Sequence, residues 1–418
     1  MKKLLVQDFI KSNTLGELYH THGVEVSFSK DGTKASFNYS QLNSKDSDKL
    51  ACQCRGLILA RKDGKSIFEF PEYVVKGDKR DSSNVIFGDS VVVSYGFDRF
   101  FNEGQGAAYV DWQDKDIKVY EKLDGTCIFL YFYNGKWHTA TRSAPEADIP
   151  LEQIFAEDTY TFSSLFKKCL FDTTNKTFDE YTSTLNKDNT YVFELTSPIN
   201  RIVVKYNDYR VTLLAIKNKK TFEEYEIESS NNLVPCVFPY KMNTLEQILG
   251  FVNSTNPLDH EGIVVRDSKF NRVKIKNIQY VTYNRARDLY SKSNRGFVQM
   301  ILFKIEDDVI PYLPDEIVNK VYEFKDKLSS FINYIESNYK KYVDEVNSYP
   351  DSDRNKRKRF AELVQLNEEY QNPFFVMYSG KANSFEEYIN KNKDKSGKFP
   401  DNFLDNLSEH VTKFNKDK

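Results

Sequence analysis

The 418 residues are 40% hydrophobic and 29% charged, the balance of a globular protein, which excludes a disordered or fibrous chain. The formal net charge is only −2, so total charge points to no polyanionic partner, and any nucleic-acid surface must be a local cluster of cations. Five cysteines are too few for a disulfide framework, and Cys52-Gln53-Cys54 lacks zinc-site spacing, so reduced thiols are expected.

From the N-terminus, Met1–Val6 starts like a secretory leader but meets Gln7 and Asp8 before an apolar stretch develops. No apolar run reaches membrane-spanning length, so a soluble cytoplasmic protein without a membrane partner is expected. Helices are expected over Leu4–His20 and Ser163–Phe171. Between and beyond them, short alternating or apolar runs read as strands: Val91–Tyr95, Ile128–Tyr133 before the turn Asn134-Gly135, Tyr191–Leu195, Val211–Ile216 and Gly262–Arg266. After Pro311 the period changes. Ile317, Val321, Phe324, Leu328, Phe331, Ile335, Tyr342 and Val346 form one stripe of a long helix ended near Tyr349-Pro350-Asp351, with further helices around Phe360–Tyr370, Phe385–Ile389 and Phe403–Val411. The chain thus reads as α+β: a mixed part over 1–295 and a mostly helical part over 296–418. Within the latter, Arg354-Asn355-Lys356-Arg357-Lys358-Arg359 suits either a solvated helix face or phosphate contacts.

The chemistry centres on Glu121-Lys122-Leu123-Asp124-Gly125, where one strand runs into a turn and another leaves it. A surface hairpin would produce the same word. What sets it apart is its ordered company: Cys54-Arg55-Gly56, Arg99-Phe100-Phe101-Asn102, Thr141-Arg142-Ser143, Phe193-Glu194-Leu195, Glu261-Gly262 and Lys274-Ile275-Lys276. A carboxylate amid apolar strand residues is costly unless paired or metal-bound. Strand alternation puts Lys274 and Lys276 on one face.

This ordered set resembles the covalent nucleotidyltransferases, and most closely the phage-type single-strand RNA ligases. Phe193-Glu194-Leu195-Thr196-Ser197-Pro198-Ile199-Asn200-Arg201-Ile202-Val203 is the most specific part of the likeness, which covers roughly residues 1–310. The resemblance implies an ATP-grasp-like adenylyltransferase domain of antiparallel sheets flanked by helices, followed by a helical domain that recognises broken RNA, tRNA included. It further implies ATP as AMP donor and Mg²⁺, replaceable by Mn²⁺. RNA with 5′-phosphate and 3′-hydroxyl ends would be the substrate of a monomer in the host-cell cytoplasm, if phage-encoded. Lysine would attack the α-phosphorus of ATP, AMP would pass to the RNA 5′-phosphate, and a 3′-hydroxyl would then displace AMP.

By resemblance, Lys122 is the nucleophile, Asp124 and Glu261 place the metal, and Glu194 contacts the ribose or the metal's hydration shell. Arg55 and Arg99 hold phosphates, with Arg142 beside them, and Lys274 and Lys276 contact the triphosphate and then AMP. Val264 packs on adenine, and Tyr280 stands near the nucleotide. Asp307 and Asp308 match an acidic metal-linked pair, or else an exposed loop. Because free lysine is protonated at neutral pH, Lys274, Lys276 and the metal are expected to lower the Lys122 pKa.

The sequence also departs from the pattern. Arginine replaces lysine at 99 and 142, which keeps the charge but alters phosphate geometry. Phe37 stands where the family has an ATP-contacting tyrosine, with Tyr39 as its substitute, and Glu69–Ser94 reads as an insertion. A capping guanylyltransferase or DNA ligase would follow Lys276 with a β-rich domain rather than helices. A non-catalytic RNA-binding protein would not need Lys122, Asp124, Glu194, Glu261, Lys274 and Lys276 together.

Overall fold

The computed structural model describes residues 2–414 apart from 77–78, 152–159, 228–232, 291–292, 311–312, 314, 351 and 395–397. The chain forms two compact units, Met1–Thr282 and Tyr283–Lys418. The division falls inside the helix Ile278–Tyr290, ahead of the 295/296 boundary expected from sequence.

The first unit opens with two helices, Leu5–Phe9 and Leu15–His22, where one was expected. Thr14 makes the break. Its hydroxyl accepts the Glu17 N–H (3.1 Å) while the Glu17 carboxylate accepts the Thr14 N–H (2.7 Å), a capping box that starts a new helix. Next come Val24–Phe28 (β1), Lys34–Tyr39 (β2) and Arg55–Arg61 (β3). The stretch read as an insertion folds as a hairpin of Val74–Lys76 (β4) and Lys79–Asp81 (β5), then supplies Ser90–Ser94 (β6). Strands β1-β2-β3-β6 make an antiparallel sheet over a core containing Leu18, Phe37, Leu57, Leu59 and Phe87.

Phe101–Asn102 (β7) and Lys118–Glu121 (β8) lead to the hairpin of Thr126–Tyr133 (β9) and Lys136–Ala140 (β10). Asn134 and Gly135 turn it with φ of +46° and +77°, the conformation a two-residue hairpin loop demands. Asn189–Thr196 (β11), Arg210–Asn218 (β12) and Glu224–Tyr225 (β13) complete a second sheet, ordered β10-β9-β11-β12-β13. The helix Phe162–Thr174 buries Leu165, Phe166 and Leu170 in a core shared with Ile128, Leu130, Phe193 and Leu195 of this sheet.

The third sheet has the order β14-β8-β15-β16-β7, built with Pro239–Tyr240 (β14), Gly262–Arg266 (β15) and Arg272–Lys276 (β16). The helix Leu245–Ser254 covers one face, packing Ile248 and Val252 with Val119, Ile263, Val265, Val273 and Ile275. Alternation sends the other residues of β8, β15 and β16 to the opposite face. That face carries the site.

The second unit is helical: Asn294–Phe303, Glu306–Val309, Asp315–Asn347, Asp353–Asn367, Asn372–Tyr378, Phe385–Lys391 and Asp401–Lys413. The long helix buries the expected stripe, including Ile317, Val321, Leu328, Ile335 and Val346. The helix expected at Phe360–Tyr370 starts at Asp353 instead, so the 354–359 cations lie on its first turns, where no apolar period marks a helix. Asn372–Tyr378 was not foreseen. At seven residues it is too short to show a period, although Pro373 sits in its first turn, where proline is tolerated. Among the described residues, no helix is long and apolar enough to cross a membrane, and the five cysteines are unpaired.

Candidate active site

Three strands of the third sheet set out a grid. Register pairs Arg266 with both Lys118 and Arg272, Val264 with Tyr120 and Lys274, and Gly262 with Lys276. Lys122 follows directly after β8, and its N–H donates to the Gly262 carbonyl (2.9 Å). Reading along the strands, the rows run from Lys122 and Lys276, through Tyr120, Val264 and Lys274, to Lys118, Arg266 and Arg272. At about 3.3 Å per residue, neighbouring rows lie about 7 Å apart.

Above this grid is a cleft of about 300 Å³. Of the residues singled out by sequence, Arg55, Lys122, Arg142, Glu194, Val264, Lys274 and Lys276 line it, as does Tyr39. Val264, Leu213, Leu214 and Ile227 supply an apolar part, and the arginines and lysines a cationic one. Arg55 lies over the rings of Phe100 (5.0 Å) and Phe97 (5.5 Å), and its Nη1 is buried without a hydrogen-bond partner. A buried, unsatisfied guanidinium nitrogen beside a cleft is a ready anion contact.

The turn after Lys122 is held by its carboxylates. Asp124 is 2% exposed. Its Oδ2 accepts the N–H groups of Val203 and Val204, both at 2.8 Å, and its Oδ1 accepts the Tyr280 hydroxyl (2.5 Å). The Asp124 N–H in turn donates to Tyr206 Oη (3.1 Å), and the Gly125 N–H donates to Glu194 Oε1 (3.1 Å). Gly125 must be glycine, since a Cβ there would meet the Leu195 carbonyl oxygen at 2.3 Å. Gly262 has φ +148°, and a Cβ there would lie 2.2 Å from the Ile275 carbonyl oxygen.

Glu261, buried at 3% exposure, bridges two cations: Lys122 Nζ donates to its Oε2 and Lys276 Nζ reaches its Oε1, each at 2.7 Å. In this arrangement the protein's own groups raise the Lys122 pKa, although Lys274 and Lys276 were expected to help lower it. Burial pulls that pKa down, but Glu261, Glu194 and Asp124 outweigh it and hold the amine above its ordinary value. Among the lysines of the cleft, the lowered one is Lys274, brought to about 8 by burial and by Lys276, Arg55 and Lys122. Burial lifts Glu194 to about 7, against the pull of Lys122.

Several residues land elsewhere. Phe37 is fully buried in the core of the first sheet, edge-on to Phe87 with centroids 5.5 Å apart, and presents no surface to a ligand. The cleft position falls to Tyr39, past a bulge at Phe37/Asn38. Arg99 stands behind Tyr39, 4.2 Å from its ring centroid, and is bound to Asp46 (2.7 Å) and Ser44 Oγ (3.0 Å). Tyr280 is buried and serves Asp124 rather than lining the cleft. Asp307 is exposed on the short helix Glu306–Val309 of the second unit, and the Asp308 side chain lies outside the described residues. Among the described residues, no three His, Cys, Asp or Glu converge to hold a metal ion directly.

Sequence reasoning missed Tyr120, Arg266 and Arg272, although the alternation that pairs Lys274 with Lys276 extends back to Arg272 and, on β15, from Val264 to Arg266. Arg266 pairs with Glu226 (2.5 Å) and Arg272 with Glu224, tying the far row of the grid to the segment from β13. Tyr206 had no signal at all.

The chain is 31% identical over 261 residues to a protein of Autographa californica nuclear polyhedrosis virus named as a bifunctional polynucleotide kinase/RNA ligase, covering 58% of this chain and 35% of that protein. The chain therefore spans only about a third of that relative. It is 24% identical over 328 residues to an RNA ligase of Rhodothermus phage RM378, covering 65% and 74% of the two chains. Among solved structures, an archaeal ATP-dependent RNA ligase overlays with a TM-score of 0.39 at 12% identity, covering 86% of this chain and 78% of its own. A Naegleria gruberi RNA ligase gives 0.31 at 15%, covering 40% and 51%. Overlays that loose carry no residue correspondences. A family model described as RNA ligase, of the T4 phage type, matches residues 53–280, more than half of the sequence, and the chain belongs to that family.

Proposed function

We propose that this chain is an ATP-dependent RNA ligase that joins 5′-phosphate and 3′-hydroxyl ends, with Lys122 as the AMP acceptor. One observation carries the reading: Lys122 lines a cleft whose apolar part suits a purine and whose Arg55, Arg142, Lys274 and Lys276 suit a polyphosphate. Val264 and Tyr120 offer the base an apolar and an aromatic surface, and the orphaned Arg55 Nη1 offers a phosphate a donor.

Lys122 starts as an ammonium paired with Glu261, so its proton must pass to water before Nζ can bond to the α-phosphorus and expel pyrophosphate. Lys276, on the same carboxylate, competes for Glu261 and favours that loss. AMP then moves from Nζ to an oxygen of the RNA 5′-phosphate, and the 3′-hydroxyl displaces AMP as the phosphodiester forms. Cations on the grid neutralise charge building on phosphoryl oxygens. Mg²⁺, or Mn²⁺ in its place, would be held through water by Glu194, and by Glu261 once Lys122 has released it, and would add to that neutralisation. Asp124, with both oxygens engaged, positions the Lys122 turn.

A capping guanylyltransferase is disfavoured because, among the described residues, every regular element after Lys276 is a helix. We further infer a monomer acting in RNA repair, tRNA included, with the exposed Arg354, Arg357, Lys358 and Arg359 of the second unit contacting RNA phosphates. The test is incubation with α-labelled ATP and GTP separately, followed by sealing of 5′-phosphorylated RNA. Label from ATP should become covalently bound to the protein, stable to denaturation and alkali but released by acid as a phosphoramidate is, and should disappear in Lys122→Ala. Label from GTP alone would refute the ligase reading.

A further inference from the structure

A second cavity of about 380 Å³ adjoins the cleft on the far side of the Lys122 turn. The two share Glu121, Leu123, Cys236 and Val237 in their walls. Its distinctive element is Phe238, which is 68% exposed although its segment is anchored on both sides. Upstream, the Leu213 N–H donates to the Pro235 carbonyl (2.8 Å) and Leu213 bridges Cys236; downstream, Pro239 pairs with Tyr120 on β8. An exposed aromatic ring on an anchored backbone leaves little main-chain freedom to be lost when a flat partner covers it. Tyr206, already fixed by the Asp124 N–H, and Tyr240 stand in the same wall, with Asn207 and Arg210 as polar groups.

We propose that this cavity seats the terminal nucleotide of an RNA strand, with its base stacked on Phe238 and its end directed to the Lys122 cleft. The proposal rests on the ligase reading, which requires a strand end beside the lysine-bound AMP. The volume suits one small ligand. Glu121 and Asp208 place carboxylates among the lining groups, which favours a base and ribose over a run of phosphates. Single-stranded nucleic acids are commonly held by such exposed aromatic platforms.

Phe238→Ala removes the platform without touching a core. Lysyl-AMP formation from ATP should be unchanged, while the KM for RNA rises roughly ten-fold or more, the cost of one lost base stack. Phe238→Trp should restore it. Two arms identify the strand: AMP transfer to a 5′-phosphorylated RNA reads the donor end, and joining of a pre-adenylated RNA reads the 3′-hydroxyl end. A rise in either supports the site, and both KM values staying within about two-fold of the parent overturns it. Independently of any variant, RNA carrying terminal 5-iodouridine should photocrosslink to the Phe238 peptide of the unaltered protein, and crosslinking only elsewhere would also overturn the site. Absence of lysyl-AMP in the unaltered protein would instead sink the ligase reading.

Discussion

Replacing Asp124 by alanine or by asparagine separates a positioning carboxylate from one whose charge does chemistry. Alanine leaves the buried N–H groups of Val203 and Val204 without an acceptor and deletes the bond from the Tyr280 hydroxyl. At about 1–2 kcal/mol for each unsatisfied amide and about 1 kcal/mol for the lost tyrosine bond, the loss is about 3–5 kcal/mol, large for one substitution. Asparagine can keep all three bonds, turning its oxygen to the two amides and its NH₂ to the tyrosine oxygen. It also removes a negative charge that burial and Glu261 already disfavour, for the Asp124 pKa is raised. Asp124→Asn should therefore stay within about 1 kcal/mol of the parent. Denaturant unfolding, with hydrogen exchange at the Val203 and Val204 amides, measures both variants, and lysyl-AMP formation is followed in parallel. An alanine variant as stable as the parent would refute the latch. A stable asparagine variant that forms no lysyl-AMP would return the Asp124 charge to the chemistry.

Lys274, with a pKa of about 8 in the free protein, is charged below that value and loses its charge as pH rises through it. The KM for ATP should climb between about pH 7.5 and 9, and Lys274→Arg should flatten that profile, since arginine stays protonated. Gly125→Ala drives a methyl into the Leu195 carbonyl and should cost about 1–3 kcal/mol while displacing Lys122, seen as slowed lysyl-AMP formation. Arg55→Ala should weaken ATP binding by calorimetry more than Arg99→Ala does, because Arg99 already spends its guanidinium on Asp46 and Ser44. Equal losses would count against that ordering.

Much of the site was legible because strand chemistry repeats locally. Period-two alternation placed Lys274 and Lys276 on one face, and apolar neighbours marked Glu194 as a carboxylate needing a partner. The same alternation, carried two residues further, would have reached Arg266 and Arg272. The capping box of Thr14 and Glu17 was equally readable and would have split the first helix. Phe37 could not be resolved from Tyr39, because a bulge between strands is decided by pairing with β3, not by the residues of β2 alone.

The sequence by itself determined the change from strands to helices and pointed to Arg55, Arg142, Glu194, Lys274 and Lys276, which line the cleft with Lys122. Tertiary structure alone decided the direction in which that lysine's pKa moves. Glu261 is 139 residues away along the chain, yet its carboxylate accepts the Lys122 ammonium and, with Glu194 and Asp124, outweighs the lowering that burial causes. Secondary-structure patterns depend on spacing along the chain, whereas a pKa depends on burial and on the distance to every charge in space. The same distinction reveals Asp124 as a latch on the Lys122 turn: its partners at 203, 204 and 280 come together only when the sheets pack.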